Sequence, residues 1–185
     1  MSATLKQVCQ ALIEGKLVVY PTESVFGLGC QALNNEALIK LRKVKQRSKH
    51  KGFIVLCASL DQLTQNFPQL NIEQDQIKRM QQQQGHPTTW LVSCDETLNP
   101  LLVGNNSKLA VRITHHPIAK ALCESVGPII SSSANVEGEQ TVKNLELIRA
   151  RFLNDVDVYL DEELGNSQSP SQIIDLDNGE IIRSA

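Results

Sequence analysis

The chain has 185 residues, of which 41% are hydrophobic and 21% are charged, and its formal net charge is −2. This composition is ordinary for a globular protein, and the length predicts a single domain over residues 1–185. The nearly neutral charge argues against a protein that coats nucleic acid. The sequence lacks the roughly 20-residue apolar run of a membrane span and a signal-peptide pattern, so we expect a cytoplasmic protein with no membrane partner. Five scattered cysteines predict reduced, mostly buried thiols.

Hydrophobic periodicity predicts helices and strands that alternate irregularly along the chain. We predict helices over residues 5–13, 37–44, 72–82, 117–126 and 145–152, the second of them capped by Asn34 or Asn35. We predict strands over residues 16–20, 53–57, 88–92, 109–113, 128–130, 156–160, 172–175 and 181–183, with a hairpin turn at 177–179. The glutamine run at 81–84 is too short to act as a linker. The irregular order predicts an α/β fold with a mixed, twisted open sheet and flanking helices.

Two polar segments follow predicted strands and carry groups that hold anions. The first, residues 20–29, reads Tyr-Pro-Thr-Glu-Ser-Val-Phe-Gly-Leu-Gly, and its glycines allow the backbone to approach a ligand. In the second, residues 131–135, alternation along an extended chain places Ser131, Ser133 and Asn135 on one side. Such polar groups at a strand end are costly without a partner, which favours a ligand. For residues 20–29 the alternative is a turn rich in small residues, and for residues 131–135 it is a capped turn.

A basic segment lies between these two loops. Seven of the 18 basic residues fall within the twelve positions 40–51, with no acid among them. Cations near a helix C-terminus contribute about 0.3–1 kcal/mol each, which explains one or two of the seven. Lys45 and Arg47 suit phosphate oxygens, although a solvated basic face is the alternative. Arg112 in an apolar strand is either solvent-facing or a clamp for a carboxylate or phosphate.

Other kinds of active site find little support in the sequence. The four histidines lack metal-ligand spacing, so no metal site is predicted. The sequence contains neither a P-loop nor a nucleophile elbow. Transfer chemistry at phosphorus can run on positioning and charge neutralisation, and this fits the residues at hand.

Several motifs together carry a family resemblance. They are residues 20–29, Lys45-x-Arg47, Ala110-Val111-Arg112, Ser131-x-Ser133-Ala134-Asn135 and Pro170-Ser171. With these motifs, in this order, almost the whole chain resembles the short, single-domain bacterial form of the YrdC-like threonylcarbamoyl-AMP synthases, the TsaC type. The resemblance implies the YrdC-like fold with a concave basic face. It also implies an enzyme that forms threonylcarbamoyl-adenylate and pyrophosphate from L-threonine, bicarbonate and ATP.

The resemblance further implies roles for individual residues. The catalytic set comprises Lys45, Arg47, Ser133 and Asn135, and these residues bind ATP together with Thr141 and Arg183. The threonine-binding set comprises Thr22, Arg112, Ser131 and Ser171. ATP is a substrate accompanied by Mg²⁺, without a dedicated protein site for the metal. The product passes to threonylcarbamoyl-transfer proteins that build t6A at position 37 of tRNAs reading codons that start with A, and the basic segment implies weak binding of tRNA or double-stranded RNA.

The chain departs from the family pattern at three places. Ser48 stands where the family often has proline after Lys-x-Arg, and we expect this change to loosen the basic loop. Ser24 replaces a threonine, and residues 85–89 replace a Pro-Gly-Pro-x-Thr pattern. Two alternative functions stay open: a non-catalytic RNA-binding module, and an enzyme handling another carbamoyl-adenylate, as in hydrogenase maturation.

Overall fold

The computed structural model describes residues 3–82 and 85–185, so the end of the glutamine run at 83–84 lies outside the described residues. Its helices are α1 (Leu5–Ile13), α2 (Asn35–Val44), α3 (Leu60–Asn66), α4 (Gln74–Gln81), α5 (Pro100–Val103), α6 (Pro117–Val126) and α7 (Leu145–Arg151). Its strands are β1 (Val18–Pro21), β2 (Phe26–Gly29), β3 (Ile54–Cys57), β4 (Thr88–Ser93), β5 (Lys108–Ile113), β6 (Ile129–Ser133), β7 (Val158–Tyr159), β8 (Gln172–Asp175) and β9 (Ile181–Arg183).

The strands form one mixed sheet in the order β7-β1-β2-β6-β3-β5-β4-β8-β9. The β1/β7, β3/β5 and β4/β8 pairs are parallel. The β1/β2, β2/β6, β3/β6, β4/β5 and β8/β9 pairs are antiparallel. The predicted mixed sheet with flanking helices is therefore confirmed.

The helices cover the two faces of the sheet unequally. On one face, apolar residues of α2, α3, α4, α5 and α7 form the larger core with the strands, and Leu41 and Ile148 are among them. On the other face, α1 and α6 form a smaller core over one part of the sheet, where Leu12 and Leu122 meet Leu56. Arg112 pairs with Leu56 and Ser131 pairs with Ile54, so both polar residues share this second face. This part of the candidate site occupies the second face, whereas helix α2, which precedes Lys45 and Arg47, packs on the first.

The structure corrects the interpretation of residues 20–29 as one long loop. Phe26–Gly29 form β2, a fully buried strand that pairs with β1 on one side and β6 on the other. A side-chain carbon added at Gly29 would lie only 1.8 Å from the carbonyl oxygen of Ile130, so this position requires glycine. The sequence did not predict this strand because glycine is depleted in strands, yet here the glycines are what allow the strands to pair closely.

Other element boundaries shift more modestly. The strand predicted to end at 130 continues through Ser133, and β1 begins at Val18 rather than at Lys16. Helix α4 begins at Gln74, two residues after the predicted start at 72. The short helices α3 and α5 were not predicted. The limits of α6, β8 and β9 are confirmed as predicted.

Candidate active site

The end of α2 places Lys45 and Arg47. The Gln46 N–H donates to the Lys43 carbonyl at 3.0 Å and the Arg47 N–H donates to the Arg42 carbonyl at 2.9 Å, which is the hydrogen-bond pattern of a Schellman C-cap. Gln46 has a φ of +50°, a left-handed conformation that glycine usually supplies. This turn separates the two cations that flank Gln46, so that Lys45 turns inward while Arg47 lies along the adjoining loop.

Lys45 is 2% exposed, and its ammonium group contacts two backbone carbonyls, one at the end of β6 and one in the loop that follows. Its Nζ donates to the Ser133 oxygen at 2.5 Å and to the Asn135 oxygen at 2.6 Å. An ammonium has three donors, so a third remains for an anion. Burial, and then the charge of Arg47, lower the pKa of Lys45 to about 8, and Glu137 opposes the shift. A bound anion would therefore raise the pKa of Lys45 and favour its protonated form.

Arg47 lies beside Lys45 with part of its guanidinium engaged. Its Nε and Nη2 donate to the Gly52 carbonyl at 3.0 and 2.6 Å. Its Cζ lies 5.2 Å from the centroid of the Phe53 ring, a cation–π contact that fixes the plane of the guanidinium. The donors on Nη1 are left for a ligand.

Ser133 and Asn135 are brought together with Lys45, although not as the alternation of an extended strand predicts. Because β6 ends at Ser133, Asn135 reaches the site from the following loop. The Ser133 hydroxyl donates to Asn135 Oδ1 at 2.5 Å, and Asn135 Nδ2 donates to the carbonyls of Val136 and Glu139 at 3.0 and 2.7 Å. These bonds fix the loop whose carbonyls hold Lys45.

A second group of polar residues lies around Ser131, two residues before Ser133 on β6. Arg112 is 6% exposed, and its Nη2 donates weakly to the Ser131 hydroxyl at 3.4 Å. Thr22 is also buried, and its hydroxyl donates to the Val25 carbonyl at 2.7 Å. A side-chain carbon added at Gly27 would meet both Thr22 and Ser131 at 3.2 Å. The absence of a side chain at Gly27 thus lets Thr22 and Ser131 adjoin the same space.

Glu23 belongs to this group, and sequence reasoning did not include it. Its Oε1 accepts hydrogen bonds from the Thr114 hydroxyl at 2.7 Å and from the His115 N–H at 3.3 Å. Burial raises the pKa of Glu23, but Arg112 and the Thr114 hydroxyl more than offset this, so the pKa lies below its usual value. Within residues 3–82 and 85–185, Glu23 Oε2 and Arg112 Nε have no hydrogen-bond partner. The signal in the sequence was that Glu23 is the one acid of the 20–29 segment.

Ser171 and Arg183 adjoin each other, although the resemblance places them on different substrates. Arg183 Nη2 donates to the Ser171 carbonyl at 2.6 Å and to its hydroxyl at 3.2 Å. The Ser171 hydroxyl shares a hydrogen bond of 2.8 Å with that of Thr89. Burial, and secondly the charge of Arg112, lower the pKa of Arg183. The positive charges of Arg112 and Arg183 therefore repel each other.

Thr141 is not brought together with the others. It is exposed in the irregular segment between β6 and α7, and within the described part of the chain it makes no hydrogen bond to another predicted site residue. Its role in nucleotide binding stays a prediction.

The basic segment is less free than its composition suggests. Lys40 forms an ion pair with Asp157 at 2.8 Å, Lys51 forms one with Glu137, and Arg42 donates to the carbonyls of Ser48, Lys51 and Leu101. Together with Lys45 and Arg47, five of the seven cations thus have partners inside the protein. Lys43 and Lys49 are exposed and have no such partner among the residues that the structure describes.

Two cavities adjoin Glu23 on the side of His115. One of about 780 Å³ is lined by apolar residues such as Trp90 and Met80, and one of about 560 Å³ extends towards residues 165–169. None of the predicted site residues lines either cavity. The predicted cations and hydroxyls therefore lie outside both cavities.

Two further properties concern metals and membranes. No group of three or more histidine, cysteine or acidic side chains lies close enough to hold a metal ion within residues 3–82 and 85–185. Over the same residues, no helix is both long and apolar enough to cross a membrane.

Comparison with known proteins assigns the family. Residues 10–185 match the model of the Sua5/YciO/YrdC domain, described as telomere recombination. A threonylcarbamoyl-AMP synthase of Aliivibrio fischeri is 37% identical over 183 residues, which are 97% of each chain. The chain belongs to the Sua5/YciO/YrdC family.

Solved structures confirm the fold and differ in length. The crystal structure of P. abyssi Sua5 complexed with L-threonine superposes with a TM-score of 0.82 at 27% identity, covering 92% of this chain and 50% of that one. This chain thus spans about half the length of that Sua5. Full-length HypF in a phosphate- and nucleotide-bound form gives a TM-score of 0.80 at 26% identity, covering 97% of this chain and 28% of that one.

Proposed function

We propose that this chain is a threonylcarbamoyl-AMP synthase, which converts L-threonine, bicarbonate and ATP to threonylcarbamoyl-adenylate and pyrophosphate. The observation that carries the proposal is the position of two polar groups on one strand. At the end of β6, Lys45 contacts the Ser133 carbonyl, and two residues earlier Ser131 contacts Arg112. A phosphate site and a carboxylate site therefore adjoin each other. The near full-length match to proteins named threonylcarbamoyl-AMP synthase supports the same substrates.

The reaction needs positioning more than covalent catalysis. The threonine amine combines with bicarbonate to give a carbamate, with loss of water. A carbamate oxygen then attacks the α-phosphorus of ATP, and the bond to the β-phosphate breaks to release pyrophosphate. Negative charge is present on both reactants throughout, so fixed cations and oriented donors are the main means of lowering the barrier.

The phosphate side consists of Lys45, Arg47, Ser133 and Asn135. Lys45 and Arg47 supply positive charge to the triphosphate, and the Lys45 carbonyl contacts keep its ammonium aimed at one place. Ser133 and Asn135 hold the loop and present polar atoms to the reacting carbamate. Arg183 and Thr141 complete the nucleotide site in this proposal.

The threonine side consists of Thr22, Arg112, Ser131 and Ser171. The guanidinium of Arg112 suits the threonine carboxylate. The Thr22 hydroxyl already donates to Val25, so its oxygen is left as an acceptor for the substrate hydroxyl. Ser131 lies between the two substrates and can contact the carbamate that joins them.

ATP would bring Mg²⁺ with it. Near the phosphate side, the carboxylate of Glu137 is already held by Lys51 and by the Ser48 N–H. Among the described residues no cluster of three or more possible metal ligands is found. Mg²⁺ commonly binds through phosphates and water with few protein ligands. This fits a metal carried by the nucleotide.

In the cell, we propose that a single domain over residues 1–185 makes this adenylate in the cytoplasm. Threonylcarbamoyl-transfer proteins would then use it to build t6A on tRNA. The transient contact with RNA would be weak, because only Lys43 and Lys49 of the basic segment are left unpaired among the described residues.

The second candidate, which comes from the resemblance, is an enzyme that makes another carbamoyl-adenylate. The fold match to a phosphate- and nucleotide-bound HypF is compatible with it. The two candidate functions are distinguished by measuring pyrophosphate release from ATP with purified protein. We expect release only when both threonine and bicarbonate are present. Release with carbamoyl phosphate, without threonine, would favour the second candidate. ATP binding without any release, together with tight RNA binding, would favour a non-catalytic RNA-binding module.

A further inference from the structure

Glu137 connects the two segments that form the phosphate side. It lies in the loop that follows β6, and its own N–H donates to the Lys45 carbonyl at 3.0 Å. Its Oε2 accepts a hydrogen bond from the Ser48 N–H at 2.9 Å, and its Oε1 accepts one from Lys51 Nζ. Glu137 thus contacts the loop of residues 45–51 at three positions.

These contacts fix the loop that carries Arg47. Lys45 begins the loop and Lys51 ends it, so Glu137 holds both of its ends as well as Ser48 in the middle. Glu137 is only partly exposed, with 22% of its side chain accessible, which limits competition from water. The Lys51 and Ser48 contacts lower the pKa of Glu137, so the carboxylate stays ionised at neutral pH.

Ser48 explains why this chain needs such an acid. The resemblance places proline at this position in many relatives, and proline fixes its own backbone and has no N–H to donate. Ser48 does have an N–H, and the structure gives that N–H to Glu137. The expected loosening of the loop by Ser48 is therefore countered by a hydrogen bond that proline could not make.

We propose that Glu137 is a positioning residue for ATP, which orders the 45–51 loop through Ser48 and Lys51 before the nucleotide binds. The proposal rests on the proposed function, since it takes ATP as the ligand of Lys45 and Arg47. Glu137 is expected to affect ATP affinity in two opposite ways. Ordering the loop strengthens ATP binding, whereas a carboxylate near the triphosphate weakens it through repulsion, and the proposal holds that ordering is the larger.

The test compares Glu137→Gln with Glu137→Ala by calorimetric titration with ATP alone. Gln removes the charge but keeps an acceptor for the Ser48 N–H, so we expect ATP affinity within about 3-fold of the wild type. Ala leaves a donor without a partner, and we expect the affinity to fall by about 10-fold, with the turnover at saturating ATP nearly unchanged. Glu139→Ala is the matched control, because Glu139 follows on the same loop but forms its ion pair with Arg151 at 2.7 Å.

A double-mutant cycle with Ser48→Pro identifies the contact. Once the Ser48 N–H is removed, Glu137→Ala should weaken ATP binding clearly less than it does in the wild type. Equal effects in both backgrounds, or tighter ATP binding by Glu137→Ala, would overturn the proposal. Thermal melting of each variant identifies any that fail to fold. ATP affinity is measured without threonine, so a protein that binds ATP but releases no pyrophosphate contradicts the proposed function and leaves this test intact.

Discussion

Arg112 Nη1 lies 3.7 Å from Glu23 Oε2, so a buried guanidinium and the buried oxygen of a half-buried carboxylate face each other without a hydrogen bond between them. Two such charges stabilise each other, but Glu23 Oε2 and Arg112 Nε have no hydrogen-bond partner in the part of the chain that the structure describes. A ligand with a carboxylate and a nitrogen donor could satisfy both, and an amino acid has these groups. The arrangement therefore predicts a measurable energetic coupling between the two side chains.

Arg112→Gln should lower the free energy of unfolding at pH 7 by about 3 kcal/mol, because Glu23 is then buried without its cation. Adding Glu23→Gln should recover part of this loss, as measured by chemical denaturation of the two single variants and the double variant. The exposed pair Lys120 and Glu124, separated by 3.9 Å, is the control at a similar distance, and its coupling should be below about 1 kcal/mol. Additive losses at Arg112 and Glu23 would contradict the coupling.

The same pair predicts a pH dependence. The pKa of Glu23 is lowered on folding, so its ionised form stabilises the folded state above the unfolded pKa of 4.5. This stabilisation is lost as the pH falls through the folded pKa. The difference in stability between wild type and Glu23→Gln should accordingly be largest near neutral pH and vanish in acid. A difference that is constant across this range would show that the carboxylate charge plays no part.

Arg47 predicts a large kinetic effect. Arg47→Ala removes one preorganised cation from the triphosphate, and threonine-dependent pyrophosphate release should fall at least ~100-fold. Lys43→Ala is the control, because Lys43 is an exposed cation on the preceding helix, and its activity should stay near that of the wild type. Near-normal turnover by folded Arg47→Ala would rule out the clamp role.

Lys45 predicts how ATP binding responds to alkaline pH. Its folded pKa of about 8 lies well below its ordinary value of 10.5. A bound triphosphate would raise this pKa, so above pH 8 binding should take up a proton and weaken as the pH increases. In the free protein, the unfolded state binds a proton that folded Lys45 lacks between these two pKa values, so Lys45 makes stability increase with pH there.

Calorimetry in two buffers of different ionisation enthalpy measures the proton uptake directly. Lys45→Met should bind ATP weakly and show no uptake near pH 8.5. Uptake that persists in this variant would assign the titration to another group.

The sequence predicted the regular elements better than the irregular ones. Helix α6 begins at Pro117 and is followed by Gly127, and the backbone preferences of these two residues mark its start and end. Its limits were therefore predicted correctly. Strand β2 was missed because its glycines serve strand packing rather than turns. Local patterns also placed Lys45 and Arg47 at the C-terminal end of the second helix, where the structure has them.

The partners of the site residues could not be predicted in this way. Ser48 and Glu137 are 89 positions apart, and Thr114 and Glu23 are 91 apart. No local pattern marks such contacts, since they depend on which strands become neighbours. For the same reason the basic segment suggested free cations, while the fold pairs most of them with carbonyls and acids.

The threonine side predicts substrate selectivity. A site that hydrogen-bonds a substrate hydroxyl rejects an analogue without it, whereas one methyl group is worth roughly 1–3 kcal/mol. Threonine should therefore react faster than serine and much faster than valine in a pyrophosphate-release assay. Thr22→Val, which removes the hydroxyl that we assign to this contact, should reduce the preference for threonine over valine. Comparable rates with threonine and valine in the wild type would refute the assigned substrate.

Binding of RNA should depend on Lys43 and Lys49, because the other cations of the basic segment have partners inside the protein. Two exposed lysines can release only a few counterions, so binding to tRNA should be weak and non-specific, and the slope of log K against log salt should be shallow, about −2. Reversing both to glutamate should abolish retention of tRNA at low salt. Adenylate formation should be mostly unchanged, since neither lysine belongs to the phosphate side.

A matched control reverses two lysines outside the segment, Lys78 and Lys120, which changes the net charge equally. If this control loses RNA binding to the same extent, the interaction reflects the overall charge of the protein rather than the basic segment. If binding survives the Lys43 and Lys49 reversal at low salt, the RNA surface lies elsewhere. ATP should compete with RNA only in part, because Lys43 and Lys49 flank the nucleotide site without belonging to it.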